Sequence, residues 1–179
     1  NSDWEETRWI SAEILSSEFS IEEFNTNLII QIIENEKEDV IRLGQTLLTR
    51  YLQNIQQKAK DNQDLGIQTA KDFIHLLLTP EKRQGSYSYI VSQLQECLNG
   101  WINNIEKQTL IKLFKAETSS VQELAGVILQ QNSDNFSHQL TTREIVELSN
   151  HDILSIRQAA QKIFSQNLNR FRNNPQEIL

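Results

Sequence analysis

Methionine is absent from this sequence, and cysteine occurs once, at Cys97. A chain without methionine lacks its start residue, so we expect it to be a piece excised from a longer protein. One cysteine cannot form an internal disulfide bond, and the N-terminus does not combine a basic start, an apolar segment and a small-residue cleavage site. These absences predict a reducing, cytoplasmic setting.

Long apolar runs are also missing. The two most apolar stretches, residues 28–33 and 73–78, are six residues each and are interrupted by Gln31 and His75. A helix needs about 20 consecutive apolar residues to cross a bilayer. The sequence therefore predicts no membrane-spanning helix.

Proline and glycine are scarce, with 2 and 5 residues, and apolar residues recur with helical rather than strand spacing. This pattern predicts an all-α fold. A chain of 179 residues with 38% hydrophobic content is long enough to form one domain with its own core.

Helix starts are indicated by three Ser/Thr-x-x-Glu patterns, at Ser20, Ser120 and Thr141, in which the hydroxyl and the carboxylate cap backbone N–H groups. Pro80 and Gly85 mark residues 79–86 as a surface loop. The resulting prediction is a set of helices over 4–17, 21–34, 38–60, 65–78, 87–104, 106–116, 120–132, 141–149 and 153–171. The short connections favour antiparallel neighbours.

The apolar positions repeat along the chain, which sets the architecture. An offset of 81 residues places eight residues on eight others of similar size: Ile29, Ile32, Ile33, Val40, Leu43, Gly44, Leu47 and Leu48 on Leu110, Leu113, Phe114, Val121, Leu124, Ala125, Ile128 and Leu129. A further offset of 35 carries much of this set onto residues 145–164. The repeating unit is two helices, and we predict four pairs: 20–60, 65–104, 106–132 and 141–171, preceded by a capping helix within 1–19.

Each helix pair leaves an apolar face that stacking against the next pair would hide. We expect a small residue wherever the second helix of a pair passes close to a neighbour. The repeat assigns this position to Gly44, Ala125 and Ala160.

The segment 152–160 reads Asp-Ile-Leu-Ser-Ile-Arg-Gln-Ala-Ala. It resembles the second helix of HEAT repeats, in which an aspartate precedes a Val/Ile-Arg pair and two small residues. The resemblance, best over 141–168, implies an α-α superhelix of the HEAT/armadillo kind with a scaffold role. It also implies that Asp152 and Arg157 form structural hydrogen bonds between repeat units.

The leading functional hypothesis is a non-enzymatic interaction or scaffold module that binds a peptide or protein partner. Trp4 and Trp9 fall in the N-terminal helix outside the repeat, where they either cap the first unit or anchor a partner. The alternative is binding of a nucleic-acid backbone by the basic C-terminal residues Arg157, Lys162, Arg170 and Arg172. The same cations would also suit an exposed helix end.

Charge is unevenly distributed within the net charge of −7. Residues 1–39 hold 11 acidic and 2 basic side chains, whereas residues 40–179 hold 13 acidic and 15 basic ones. The acidic first fifth is either a solvated face or a surface that repels nucleic acid and attracts a basic partner. Glutamine (19) and asparagine (16) give a surface rich in amides.

Residue patterns for catalysis or metal binding are incomplete. Asp72 and His75 could form half of a two-metal site, and Glu144, Glu147 and His151 share helical spacing, but neither set has the remaining ligands. We expect His75 to be held by a nearby backbone or carboxylate group, and Cys97 to lie in the core. We therefore predict no catalytic residue, no cofactor and no metal.

Overall fold

The computed structural model describes residues 26–168. Within this range every regular element is a helix, which confirms the predicted all-α class. The helices are α1 (Thr26–Ile33), α2 (Glu38–Lys58), α3 (Gln63–Leu77), α4 (Ser86–Cys97), α5 (Lys107–Phe114), α6 (Ser119–Gln131), α7 (Ser133–Gln139), α8 (Thr142–Ser149) and α9 (Leu154–Gln166). The predicted helix over 4–17 and the predicted start at Ser20 lie outside the described residues.

The helices form two compact units. The first contains α1, α2, α4 and α3 as far as His75, and the second contains α5 to α9. In the first unit α2 packs against α1 and α4. In the second, α5 packs against α6, and α9 packs against α6, α7 and α8.

Helix α2 is the longest element, about 31 Å at 1.5 Å per residue. Glu38 and Asp39 lie in its first turn and Lys58 in its last, so its charges complement the helix dipole. Leu47, Leu48 and other aliphatic residues on one side are buried. Full burial of a side chain of this size contributes roughly 1.5–3 kcal/mol, so this face holds the helix in place.

In the first unit, three glycines occupy positions that a larger residue would strain. A Cβ at Gly44 would lie 2.8 Å from the Ile33 nitrogen, which agrees with the predicted close approach of α2 to a neighbour. A Cβ at Gly66 would lie 2.8 Å from the Trp101 indole, because this half-buried ring covers the α3 backbone. Gly85 precedes α4 with φ of 90°, a left-handed conformation that favours glycine.

Several predicted helix boundaries are wrong. Helix α4 ends at Cys97 instead of residue 104, because Asn99-Gly100 forms a turn. Helix α6 begins at Ser119 with Thr118 as its N-cap, so the predicted cap at Ser120 is wrong. The sequence interpretation also missed α7, which starts directly after Asn132 and buries Phe136. The loop between α3 and α4 and the capping box at Thr141 are confirmed.

Candidate binding surface

A chain of polar side chains joins α2 to α4 in the first unit. The Thr49 hydroxyl lies 2.9 Å from the Tyr89 hydroxyl and donates to Gln93 Oε1 at 2.7 Å. Tyr89 Oη also lies 3.1 Å from the carbonyl oxygen of Gln45, and Gln93 Nε2 donates to Glu96 Oε2 at 3.3 Å. Since buried polar groups are costly unless hydrogen-bonded, this network fixes the lateral position of the two helices.

The solvent-facing sides of α2 and α4 lie beside this network and are polar. The exposed residues include Arg42, Thr46, Arg50 and Gln53 on α2, and Ser88 and Ser92 on α4. We call these six residues the α2–α4 surface. The sequence interpretation did not single it out, because nothing in the spacing of Thr49 and Tyr89 indicates that they meet.

The second helices of two consecutive pairs also meet in the second unit. A Cβ at Gly126 of α6 would lie 2.7 Å from the backbone nitrogen of Ile156 in α9. The Ser155 hydroxyl donates to the carbonyl oxygen of Glu123 at 3.3 Å. Ala125 and Ala160 are buried as expected, but Gly126 is the glycine at which α6 and α9 approach closely.

The predicted partner-binding residues are only partly within the described range. Arg157 is half-buried, and its Nη1 donates to the carbonyl oxygens of His151 at 2.8 Å and Asp152 at 3.4 Å. Its guanidinium therefore stabilises the turn that precedes α9. Lys162 is exposed on α9. The remaining four residues, Trp4, Trp9, Arg170 and Arg172, lie outside the described residues.

His151 connects the turn before α9 to the end of α5. Its Nδ1 accepts a hydrogen bond from the Ile153 N–H at 3.1 Å, and its Nε2 lies 3.3 Å from the carbonyl oxygen of Phe114. Because Nδ1 is an acceptor, Nε2 carries the proton and donates to that carbonyl. Both ring nitrogens are thus occupied by the fold.

Glu144 is likewise occupied by structural contacts. Lys107 Nζ donates to Glu144 Oε2 at 2.8 Å and to the carbonyl oxygen of Gln139 at 2.9 Å. The Thr141 N–H donates to the same carboxylate at 2.7 Å and completes the capping box. Burial acts to raise the pKa of Glu144, but the hydrogen bonds from Lys107 and Thr141 and the lysine charge outweigh it and lower the pKa.

The other candidate catalytic or metal-binding residues do not lie together in one site. His75 is exposed on α3, and no backbone or carboxylate group among residues 26–168 holds its ring as was expected. Asp72 accepts a hydrogen bond from Gln68 Nε2 at 2.8 Å. Glu147 forms an exposed pair with Arg143. Across residues 26–168 there is no group of three or more His, Cys, Asp or Glu side chains that could hold a metal ion.

Cys97 is buried in the core, as expected. Burial, followed by the nearby charge of Glu96, raises the pKa of its thiol. A raised pKa disfavours the thiolate, which is the nucleophilic form of cysteine. The environment of Cys97 therefore suits packing.

Within the described part of the chain, no helix has the length and apolar character needed to cross a membrane. Comparison with known proteins identifies no relative: no protein-family model, no curated protein and no solved structure matches this chain.

Proposed function

We propose that this protein is a non-enzymatic interaction or scaffold module, built from stacked helix pairs of the HEAT/armadillo kind, that binds a peptide or protein partner. One observation carries the proposal. In each unit the second helices of consecutive predicted pairs pack side by side, α2 with α4 and α6 with α9. Such packing makes a wide, rigid surface out of helices that bury their apolar sides elsewhere.

The chemistry of these second helices supports a binding role. Exposed glutamines lie on α2 (Gln53 and Gln57), on α6 (Gln130) and on α9 (Gln158 and Gln161). An amide side chain donates and accepts hydrogen bonds, so the glutamines of either unit can pair with the backbone of a bound peptide. Leu154, 56% exposed at the start of α9, adds an apolar contact.

The proposed activity requires no cofactor and no metal. A cytoplasmic setting belongs to the same proposal and rests on the single cysteine.

Site-specific photo-crosslinking tests the proposal. A photoreactive phenylalanine analogue is placed at Gln53 or Gln158 on the second helices and, as matched controls, at Gln31 on α1 or Arg143 on α8, all of which are exposed. Each labelled protein, with all 179 residues, is irradiated in nuclease-treated native lysate at low and at high salt. We expect the same discrete protein adducts from one or both second-helix positions at both salt concentrations, and none from the controls.

Equal adducts from all four positions, or none, would contradict the proposal. The nucleic-acid alternative is tested in parallel without nuclease. Salt-sensitive nucleic-acid adducts at Gln158 and none at Gln53 would favour it, because Gln158 shares α9 with Lys162.

A further inference from the structure

Beyond its first turn, which holds Glu38 and Asp39, helix α2 carries charged side chains of one sign only. From Val40 to Lys58 it contains three basic residues and no acidic residue. Arg42 and Arg50 are both exposed and are eight positions apart. Eight residues correspond to about 12 Å along a helix and about 2.2 turns, so the two side chains leave α2 about 80° apart, both on its exposed side.

Neither guanidinium is bound by another side chain or backbone group in the part of the chain that the structure describes. Within residues 26–168, Arg42 and Arg50 form no side-chain hydrogen bond or ion pair. By contrast, Arg157, Lys107 and Arg143 are bound to carbonyl oxygens or carboxylates. Both α2 arginines are therefore available to an external anion at no cost in internal contacts.

Neutral hydrogen-bonding groups lie beside the two arginines, and exposed carboxylates flank this surface at Glu38 and Asp39 in the first turn of α2 and at Glu96 near the end of α4. Thr46 and Gln53 lie on the same side of α2, and Ser88 and Ser92 are exposed on the adjacent α4. The hydrogen bond between Thr49 and Tyr89 ties the two helices together, so the surface is rigid before a ligand arrives. A preformed surface loses less conformational entropy on binding.

We propose that the α2–α4 surface binds an acidic peptide segment in an extended conformation, with two carboxylates four residues apart. An extended chain advances about 3.3 Å per residue, so side chains at positions i and i+4 lie about 13 Å apart on the same face. This separation matches that of Arg42 and Arg50. Thr46 then faces the peptide backbone between the two carboxylates, and Gln53 lies about one turn beyond Arg50. The inference rests on the proposed function and specifies its partner.

The same observations favour a peptide over a nucleic acid. Binding of single strands generally uses aromatic rings on which bases stack. No aromatic side chain between residues 26 and 168 falls in the exposed class, and the Tyr89 hydroxyl is occupied by Thr49 and Gln45.

The test is selection from a display library of random ten-residue peptides with the full chain as bait. Two double variants with equal change of charge are compared: Arg42→Gln/Arg50→Gln, and the control Lys71→Gln/Lys112→Gln at exposed positions on α3 and α5. The best peptide and a version with glutamine at each acidic position are then titrated by fluorescence anisotropy at low and high salt. Circular dichroism verifies that both variants fold.

We expect enriched peptides with acidic residues four positions apart. The arginine variant should bind the best peptide roughly tenfold more weakly, and the lysine control within about twofold of the unmodified protein, because two exposed ion pairs are lost in the first case only. High salt should weaken binding by the unmodified protein and have little effect on binding of the glutamine peptide.

Enrichment of neutral or basic peptides would overturn the acidic-peptide inference and leave the interaction module standing. So would equal effects of the two variants. If no peptide is enriched, the inference is also overturned, and the crosslinking experiment decides the proposed function by itself. Binding of a 20-nucleotide oligothymidylate that depends on Arg42 and Arg50, without acidic peptides, would assign the surface to nucleic acid.

Discussion

Gly126 of α6 lies directly against the backbone of Ile156 at the start of α9, with no space for a side chain at position 126. The atoms that a Cβ would meet include the Ile156 nitrogen and the Ser155 carbonyl carbon, both at 2.7 Å. Backbone atoms at a helix start cannot move aside as the end of a flexible side chain can. The contact of the two second helices therefore depends on this glycine.

Replacing Gly126 with alanine should destabilise the second unit. Alanine gains about 1 kcal/mol in helix propensity over glycine, but overpacking against backbone typically costs 1–3 kcal/mol, with the upper end applying here. We expect a net loss of about 1–2 kcal/mol, measured by urea unfolding. Gly100→Ala is the control, since a Cβ there meets no atom within 4 Å. Equal stability of the two variants would contradict the tight contact.

The stability of the second unit should fall in acid through Glu144. The pKa of this carboxyl is lowered in the folded protein, so the unfolded chain binds more protons as pH falls. The contribution of Glu144 is therefore fully present above the unfolded pKa of about 4.3 and is lost as pH falls through the lower folded pKa.

Glu144→Gln should flatten the dependence of unfolding free energy on pH between about 5 and 3, the range set by the ordinary glutamate pKa. Glu147→Gln, on the same helix with a side chain 63% exposed, serves as the control. Unfolding is followed by circular dichroism in urea at each pH. If Glu144→Gln and the unmodified protein show the same dependence of unfolding free energy on pH, the Glu144 carboxylate is not the cause of the loss of stability in acid.

His151 should contribute to stability through its two ring nitrogens. His151→Ala leaves the Ile153 N–H and the Phe114 carbonyl oxygen without this partner, which should cost about 1–3 kcal/mol. His151→Asn should recover part of the loss, because an asparagine oxygen can accept from the N–H two residues on. In thermal unfolding, the unmodified protein should have the highest midpoint temperature, His151→Asn an intermediate one and His151→Ala the lowest.

The exposed His138 on α7 provides the control for this series. His138→Ala should change the unfolding free energy by less than about 0.5 kcal/mol. A loss as large as that of His151→Ala would contradict the role given to the ring contacts.

Tyr89→Phe should loosen the junction of α2 and α4. The substitution keeps the ring but removes the hydroxyl that meets Thr49 and Gln45, so we expect a loss of about 1 kcal/mol. Hydrogen exchange of amides in α4 should accelerate at the same time. Tyr51 is also half-buried but lies on α2, and Tyr51→Phe should have a smaller effect on stability. The reverse order would mean that the hydroxyl network does not fix the two helices.

Local signals predicted much of the secondary structure. Thr141 and Glu144 form the capping box that their spacing indicates, because both partners lie within one helical turn. The same four-residue pattern at Ser120 misled the interpretation, since Thr118 takes the N-cap position and Ser120 falls inside α6. A capping pattern shows which residues are able to cap, and the surrounding chain decides whether they do.

The α2–α4 surface could not be predicted from the sequence. Thr49 and Tyr89 are 40 residues apart, and neither belongs to a recognisable pattern. No sequence pattern distinguishes Arg42 from other charged residues, whereas its exposure on α2 beside Thr46 and Arg50 makes it part of a surface. Exposure and the absence of an internal partner are properties of packed helices.

The sequence by itself determined the all-helical class, the loop between α3 and α4 and the buried aliphatic faces, because helical periodicity, proline and glycine act over a few residues. Only the tertiary structure decided that Gly126 carries the close contact and that His151 and Arg157 are used by the turn before α9. It also decided that Arg42 and Arg50 are exposed and have no side-chain partner among residues 26–168. These features depend on which distant residues are brought together when the helices pack.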